Sequence, residues 1–448
     1  MVVIGPATVI RGAQHLTVPR LDLRPHRIVG VYGRTDAEYE AFLYYLMNAT
    51  NLFRPKKNTL NELSWSSYAK SSVQIEYEES RVNGSLYSSA AGEAPAQKYD
   101  IGVVFNDPEL FTIGRFVSEE YRYAIESRNA RHPIEKLRVE VTRLDRYGLA
   151  GKLERRTKFL SGGEKFRLTW GCLLETKPSV IVADLRHSNL DSDFLPAVRS
   201  WIGAQLDPYV LLLGGLESEV FAPDAYLFVS NGTVCLSADA PEWLTPVSQQ
   251  AKLLPSELRE RKTTRAIVNV KDFHLKGTEG VYEESVTNPY SLEIGDREIV
   301  CLYGPNGSGK TSLARALCGL LEKAQIGGSI EPKDSGKVTM ALQYPTRSLF
   351  GYTVGEELDD PDLIQFIGLT GGQFSRNLPA SKQKLLCCAK ALSSAERLCV
   401  LDEPTSGMSF EDKRTLLQLI NRFPDMSVLI CTHDAALRNI GRVVVLGK

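Results

Sequence analysis

The sequence predicts an α/β protein assembled twice over, as two tandem units, each with a mainly parallel sheet plus added β and helical parts. Three observations predict this. Residues 297–304 read REIVCLYG, an apolar strand entering a glycine turn, and residues 27–33 repeat it as RIVGVYG. Residues 399–409 (CVLDEPTSGMS) are mirrored by residues 181–191 (IVADLRHSNLD), each a buried strand ending in an aspartate. Leucine-headed segments at Leu160 and Leu378 precede those strands at matching distances. Strands that are apolar throughout, alternating with helical stretches, belong inside a parallel sheet covered on both faces.

The first unit spans residues 1–237 and the second 266–448. Between them, residues 238–265 carry Pro241, Pro246, Pro255 and the charged run SELRERKTTR, which reads as a partly helical linker. Residues 51–98 are rich in Ser, Gly and charge, and within them VQIEY at 73–77 alternates like an exposed strand. This segment reads as a β-rich excursion of the first unit.

A chain of 448 residues, 43% hydrophobic and 24% charged, suits two or three ordinary globular domains. A net charge of −1 argues against a global pull toward nucleic acid or an anionic membrane, leaving only local patches. No apolar run approaches the roughly 18 residues needed to cross a bilayer, and Met1 begins no signal-peptide pattern, so membrane contact would go through a partner. Eight cysteines without a C-x-x-C pair support neither a disulfide framework nor a metal cluster. Buried free thiols in a reducing cytoplasm fit better.

Chemistry enters at Gly304, Pro305, Asn306, Gly307, Ser308, Gly309, Lys310 and Thr311, a full G-x-x-x-x-G-K-T between a strand and a helical run. Glycines there let backbone N–H groups curl around phosphates, Lys310 reaches the β and γ phosphates, and Thr311 offers a hydroxyl to Mg2+. The following helix adds an N-terminal preference for an anion. Roughly 90 residues on, the strand of VLDEPT delivers Asp402 for Mg2+ and then Glu403, placed to orient or deprotonate a water.

Five motifs in order resemble the ATP-binding-cassette (ABC) superfamily. Residues 160–164 read LSGGE, like that family's signature loop; Gln343 in LQYP sits where it has a Q-loop glutamine, and His433 in ICTHD where it has a switch histidine. Singly, each has a bland reading: a helix cap, a strand-edge glutamine, a hydrogen-bonded structural histidine. Together they imply two tandem P-loop ABC nucleotide-binding domains, ATP and Mg2+ as substrate and cofactor, and ATP sites shared head to tail between the two halves as an intrachain pseudo-dimer.

Under that resemblance the halves are complementary. Aligning Gly33 with Gly304 sets Tyr39 opposite Lys310, Glu38 opposite Gly309 and Glu40 opposite Thr311, so two carboxylates replace the phosphate-binding groups. Asn106, Leu185 and Gly215 stand where the Q-loop glutamine, catalytic glutamate and switch histidine are expected. Conversely, the second half's signature reads LPASKQ and its D-loop ends in Ser409, whereas the first half keeps SNLD ending in Asp191. The intact parts therefore sort onto one composite site. Lys310, Thr311, Gln343, Asp402, Glu403 and His433 face Ser161, Gly162, Gly163 and Asp191, with catalysis falling to Glu403, His433 and Gln343 and metal to Thr311, Gln343 and Asp402. Phe273 and Tyr282 are candidates to stack on adenine.

After the Q-loop position the halves read NDPELFTIGRFVSEE (106–120) and QYPTRSLFGYTVGEE (343–357). This pattern resembles the ATPases of energy-coupling-factor (ECF) importers, whose segment receives coupling helices of a membrane subunit. It implies integral membrane partner subunits and a cytoplasmic chain peripheral to the membrane. The alternatives are a soluble tandem ABC ATPase acting on ribosomes or nucleic acid, against which the near-neutral charge argues, or a regulatory ATPase in a protein complex.

Overall fold

A computed structural model describes residues 2–4, 7–11, 14–23, 27–48, 73–77, 80–82, 85–87, 101–104, 112–128, 142–160, 162–176, 178, 180–185, 198, 200–201, 210–214, 223–245, 247–276, 288–305, 308–322, 325–333, 336–345 and 348–447. The chain forms two compact units, Met1–Leu244 and Thr245–Lys448.

The first unit holds β1 (Ala7–Arg11), β2 (Gln14–Val18), β3 (Arg27–Tyr32), β4 (Val73–Tyr77), β5 (Ile101–Val104), β6 (Val180–Asp184), β7 (Val210–Gly214), β8 (Ala225–Ser230) and β9 (Thr233–Ser237). They form one sheet in the order β4-β1-β2-β9-β8-β3-β7-β6-β5. The five strands at one end of it, β5-β6-β7-β3-β8, are mutually parallel. The β8–β9 hairpin turns through Asn231 and Gly232 with φ of 50° and 72°, the left-handed pair that a tight two-residue turn requires. The described part of the unit also holds helices α1 (Asp36–Asn48), α2 (Val117–Arg128) and α3 (Gly162–Glu175). Phe42 and Tyr45 of α1 and Trp170 of α3 lie in the core.

In the second unit, β10 (Ala266–Leu275), β11 (Tyr290–Gly295) and β13 (Ile326–Pro332) make an antiparallel sheet of order β11-β10-β13. Strands β12 (Ile299–Tyr303), β14 (Val338–Ala341), β15 (Leu398–Asp402), β16 (Ser427–Thr432) and β17 (Arg442–Val445) form a parallel sheet of order β14-β15-β16-β12-β17. This order matches β5-β6-β7-β3-β8 strand for strand, so the sequence repeat is also a repeat of topology. Strands β15 and β16 are buried at every residue, which is why they read as unbroken apolar runs.

Helices of the second unit are α4 (Val247–Leu253), α5 (Lys310–Leu317), α6 (Val354–Glu357), α7 (Pro361–Phe366), α8 (Ala380–Ser394) and α9 (Phe410–Asn421). Leu385, Leu386, Ala389 and Leu392 give α8 an apolar stripe at helical spacing, buried against Leu401 and Leu416 in one cluster. Each such leucine contributes about 1.5–3 kcal/mol. Ser409 caps α9 by accepting from Asp412 N–H at 3.1 Å.

Much of the segment read as a linker belongs to the second unit. Helix α4 lies in it, Leu254 is fully buried, and Glu257 accepts from Arg414 at 2.7 Å and Gln418 at 2.8 Å. Within the Ser- and Gly-rich excursion, VQIEY is β4 and pairs antiparallel with β1. All eight cysteines are free thiols, six of them buried. Among the described residues no helix is long and apolar enough to cross a membrane, and no cluster of three or more His, Cys, Asp or Glu could hold a metal.

Candidate active site

The parallel sheet of the second unit brings its chemistry together at the carboxyl ends of β12, β15 and β16, as open α/β sheets do. Strand β12 ends at Tyr303, and Gly304 N–H donates to Thr432 O at 3.2 Å, fixing the turn to the next strand. The loop closes at Gly309, whose φ of 93° suits glycine and which caps α5. Lys310 therefore leaves the first turn of the helix pointing back along its own loop. It is 5% exposed, and its Nζ donates to Gly304 O at 2.7 Å and Pro305 O at 3.0 Å. Ser308 Oγ donates to Pro305 O at 2.8 Å.

Next on α5, Thr311 Oγ1 donates to Asp402 Oδ1 at 3.0 Å. Asp402 is 2% exposed, and burial first, then neighbouring Glu403, pushes its carboxyl up to about 6 against the pull of the Thr311 hydrogen bond. Two oxygen groups converging on one buried point are the donor set a hard divalent cation prefers, so these residues fit Mg2+.

Glu403 is held on all sides. Its N–H donates to Cys431 O at 2.8 Å; its carboxylate accepts from Thr432 Oγ1 at 3.1 Å and meets His433 Nδ1 at 2.8 Å, with Lys310 Nζ at 3.9 Å. Burial alone would raise its pKa, but His433 and then Lys310 outweigh burial and hold it low. Burial disfavours the His433 imidazolium, yet the Glu403 carboxylate raises its pKa on balance. Glu403 also has φ of 47°, a left-handed conformation costing a non-glycine residue about 1–2 kcal/mol.

What holds that conformation went unread in the sequence. Lys384 on α8 is 3% exposed, and its Nζ donates to Glu403 O at 3.0 Å and Ser406 O at 2.9 Å. Burial lowers its pKa to about 8, against the pull of Glu403. Asp434, also unread, accepts from Thr405 at 2.8 Å and pairs with Lys413 at 2.8 Å, pinning the loop after Glu403 from the other side.

Of the other expected residues, Gln343 lies half-buried just past β14, next to β15 in the sheet. Gly162 and Gly163 open α3, whose Glu164 is bonded by Lys152. Asn306, Gly307, Ser161, Asp191, Asn106, Gly215 and Tyr282 lie outside the described residues. Phe273 is fully buried and packs edge-on against Tyr290 at 5.6 Å, so it is core and not a platform for adenine.

The matching place in the first unit is built differently. Leu185 N–H donates to Gly214 O at 2.9 Å as Glu403 N–H does to Cys431 O, confirming Leu185 at the glutamate's position. Asp184 pairs with Gly214 where Asp402 pairs with Cys431.

The expectation that Glu38 faces a phosphate cradle is also corrected. Helix α1 starts at Asp36, three residues before Tyr39, whereas α5 starts at Lys310 itself. The former loop has become helix. Thr35 and Glu38 exchange hydrogen bonds at 3.2 Å in each direction, a capping box that puts Glu38's own carboxylate on the helix N-terminus. Tyr39 turns inward, 3% exposed, and its hydroxyl donates to Asp184 Oδ1 at 3.0 Å, the bond that Thr311 makes to Asp402. A Cβ on Gly214 would lie 1.8 Å from that hydroxyl, so this glycine makes room for the tyrosine.

A family model described as ABC transporter matches residues 287–406. A chain of Methanosarcina mazei named as an ABC transporter ATP-binding protein is 24% identical over 74% of this chain and 73% of its own. A Treponema denticola chain of the same description is 25% identical over 75% of each. Among solved structures, an RNase-L inhibitor superposes with a TM-score of 0.57 at 17% identity, covering 98% of this chain and 88% of its own. A ribosome-bound archaeal Pelota and ABCE1 assembly gives a TM-score of 0.61 at 17% identity, over 98% and 76%. At such identity the structures speak for the fold.

Proposed function

We propose, from the premise that this chain belongs to the ATP-binding-cassette ATPase family, that its C-terminal unit carries the one working set of hydrolytic groups and that the N-terminal unit serves it. The observation that carries this reading is the convergence of Lys310, Thr311, Asp402, Glu403 and His433 in one buried cluster. In hydrolysis, Lys310 Nζ exchanges its two loop carbonyls for phosphate oxygens. Thr311 and Asp402, with Gln343, are the residues that would hold Mg2+, which when bound neutralises phosphate charge. Glu403 accepts a proton from the attacking water at its carboxylate, the water oxygen bonds to the γ phosphorus, and the bond from that phosphorus to the β–γ bridging oxygen breaks, releasing ADP and phosphate. His433 both orients Glu403 and donates to the charge that develops.

The first unit's share is its signature loop, Ser161, Gly162 and Gly163, with Asp191, the motif that in this family serves the γ-phosphate. What supports this is the sorting of motifs: each part missing from one half is kept by the other. The plugged loop around Tyr39 agrees, because it leaves the first unit its signature and removes its phosphate cradle.

The chain drives integral membrane partners as an importer ATPase on the cytoplasmic face of a membrane. Supporting this, the described part of the segment that resembles ECF ATPases holds apolar side chains out in both units, with Ile113 82% exposed in one, and Phe350 78% and Tyr352 81% in the other. Apolar side chains held so far into solvent suit a partner surface. A second reading, action on ribosomes, is favoured by the fold likeness to an archaeal ribosome recycling factor, TM-score 0.56 at 16% identity. Gentle purification of the tagged chain from its native host separates them: stoichiometric polytopic membrane proteins support the importer, and ribosomal proteins without membrane proteins overturn it.

A further inference from the structure

The two exposed turns are the same device built with different surface chemistry. In the first unit, Glu120 accepts from Ile113 N–H at 2.7 Å and Gly114 N–H at 2.5 Å, and Thr157 Oγ1 donates to Gly114 O at 2.7 Å. In the second, Glu357 accepts from Gly351 N–H at 2.5 Å, and Ser375 Oγ donates to Gly351 O at 2.6 Å. A bridge joins Phe116 to Arg156 in one and Thr353 to Phe374 in the other. The bonding pattern therefore equates Ile113 with Phe350, Arg115 with Tyr352, and Arg156 with Phe374.

The scaffold is kept and the displayed groups change. Around Phe350 the second turn shows Tyr352 and Phe374, 60% exposed, and among the described residues its cations are engaged: Arg376, though exposed, donates to Leu349 O at 3.2 Å, and Lys390, 5.7 Å from the Phe350 ring centroid, pairs with Glu357 at 2.5 Å. Around Ile113 the first turn shows Arg115, Arg156 and Lys158 beside the exposed Phe159. Among the described residues none of these three cations has an ion-pair partner. Arg115 lies 5.5 Å over the Phe116 ring and Lys158 4.8 Å over Phe159. Of the nearby carboxylates, Glu120 is spent on the turn, Glu119 accepts from Arg115 N–H and Phe116 N–H at 2.9 and 3.2 Å, and Glu154 is exposed.

We infer that the two turns receive different partner segments, the C-terminal turn an uncharged apolar one and the N-terminal turn a peptide segment carrying carboxylates beside an apolar residue. This rests on the reading of the turns as docking surfaces. Charge complementarity sets the acidic character. The exposed isoleucine and phenylalanine at the centre of the cations favour a peptide over a phosphate backbone, which has no apolar group for them to cover. The partner surface is thus asymmetric, and the chain docks in one orientation.

Site-specific photo-crosslinking from position 113 and from position 350 of the full chain, in its native host, tests this, with the crosslinked segments sequenced by mass spectrometry. The expected result is two different segments, the one from position 113 rich in Asp or Glu. In the R115E/R156E double variant, thermal melting confirming the fold, the crosslink from 113 falls about ten-fold and that from 350 persists. The same segment at both positions, an unchanged yield in the double variant, or RNA at position 113 overturns the inference. No crosslink from 113 with a crosslink at 350 overturns it too. No crosslink from either position instead overturns the docking reading itself.

Discussion

Replacing Lys384 by methionine separates a role in stability from a role in catalysis. The two bonds from Nζ to Glu403 O and Ser406 O are charge-assisted, each contributing about 1.5–3 kcal/mol. Against them stands the desolvation of the ammonium. Burial lowers its pKa from 10.5 to about 8, and at roughly 1.4 kcal/mol per unit this is a penalty of roughly 3 kcal/mol. The two effects largely offset, so the Lys384→Met protein keeps its stability near neutral pH to within about 3 kcal/mol. The tether on Glu403 does not cancel. Without it, a left-handed residue costing about 1–2 kcal/mol relaxes, and the aligned carboxylate falls in population about ten-fold or more. Steady-state ATPase assays read this as a fall in kcat of that order with KM for ATP within about two-fold, because Lys310 and Thr311 are untouched. The pH dependence follows from the same bond. Wild-type kcat declines as pH rises through about 8 and Lys384 loses its proton, and the methionine variant lacks that limb. For stability the sign is opposite: the burial penalty is present in full below about 8 and relieved between about 8 and 10.5, so the wild type gains on the variant across that window. A variant that keeps wild-type kcat and its alkaline limb refutes the positioning role.

The first unit yields a paired test: Lys310→Ala abolishes ATP hydrolysis, whereas Tyr39→Phe leaves it unchanged and lowers the melting free energy by about 1 kcal/mol through the lost bond to Asp184. Equilibrium dialysis should find one nucleotide per chain, and two would refute the plug. Glu403→Gln retains ATP binding but loses about 10²–10⁴ in kcat, read in single-turnover assays. Gly163→Asp, in the N-terminal unit's signature loop, lowers hydrolysis at least ten-fold by adding a carboxylate to an anion-binding motif; wild-type turnover there would refute the role given to that loop. Gly214→Ala, which sets a methyl 1.8 Å from the Tyr39 hydroxyl, destabilises the protein by about 1–3 kcal/mol in a denaturant titration.

The repeat, the parallel sheets and the cluster at the ends of β12, β15 and β16 were legible because short motifs encode them directly. A glycine turn must follow a strand, and a buried strand must be apolar along its whole length. Lys384 was not legible: a lysine in a helix reads as solvated, and only tertiary packing sets its ammonium on the carbonyls of a distant loop. The capping box of the first unit could have been read, since Thr35 and Glu38 stand in the T-x-x-E spacing. Motif alignment hid it by assuming that a loop persists wherever its partner half has one. Phe273 and Tyr282 were indistinguishable by type, and burial removed the first.

The self-capped α1 has a thermodynamic consequence. A ligand stabilises only what it binds, by RT ln(1 + [L]/Kd), so ADP, which has no γ-phosphate for the signature loop, raises the melting temperature of the C-terminal unit and leaves the N-terminal unit's own transition in place. Calorimetry should resolve one ligand-sensitive and one ligand-blind transition. In a cell drained of ATP, the N-terminal unit keeps its fold, because Glu38 and Tyr39 supply from within the chain what phosphate supplies elsewhere.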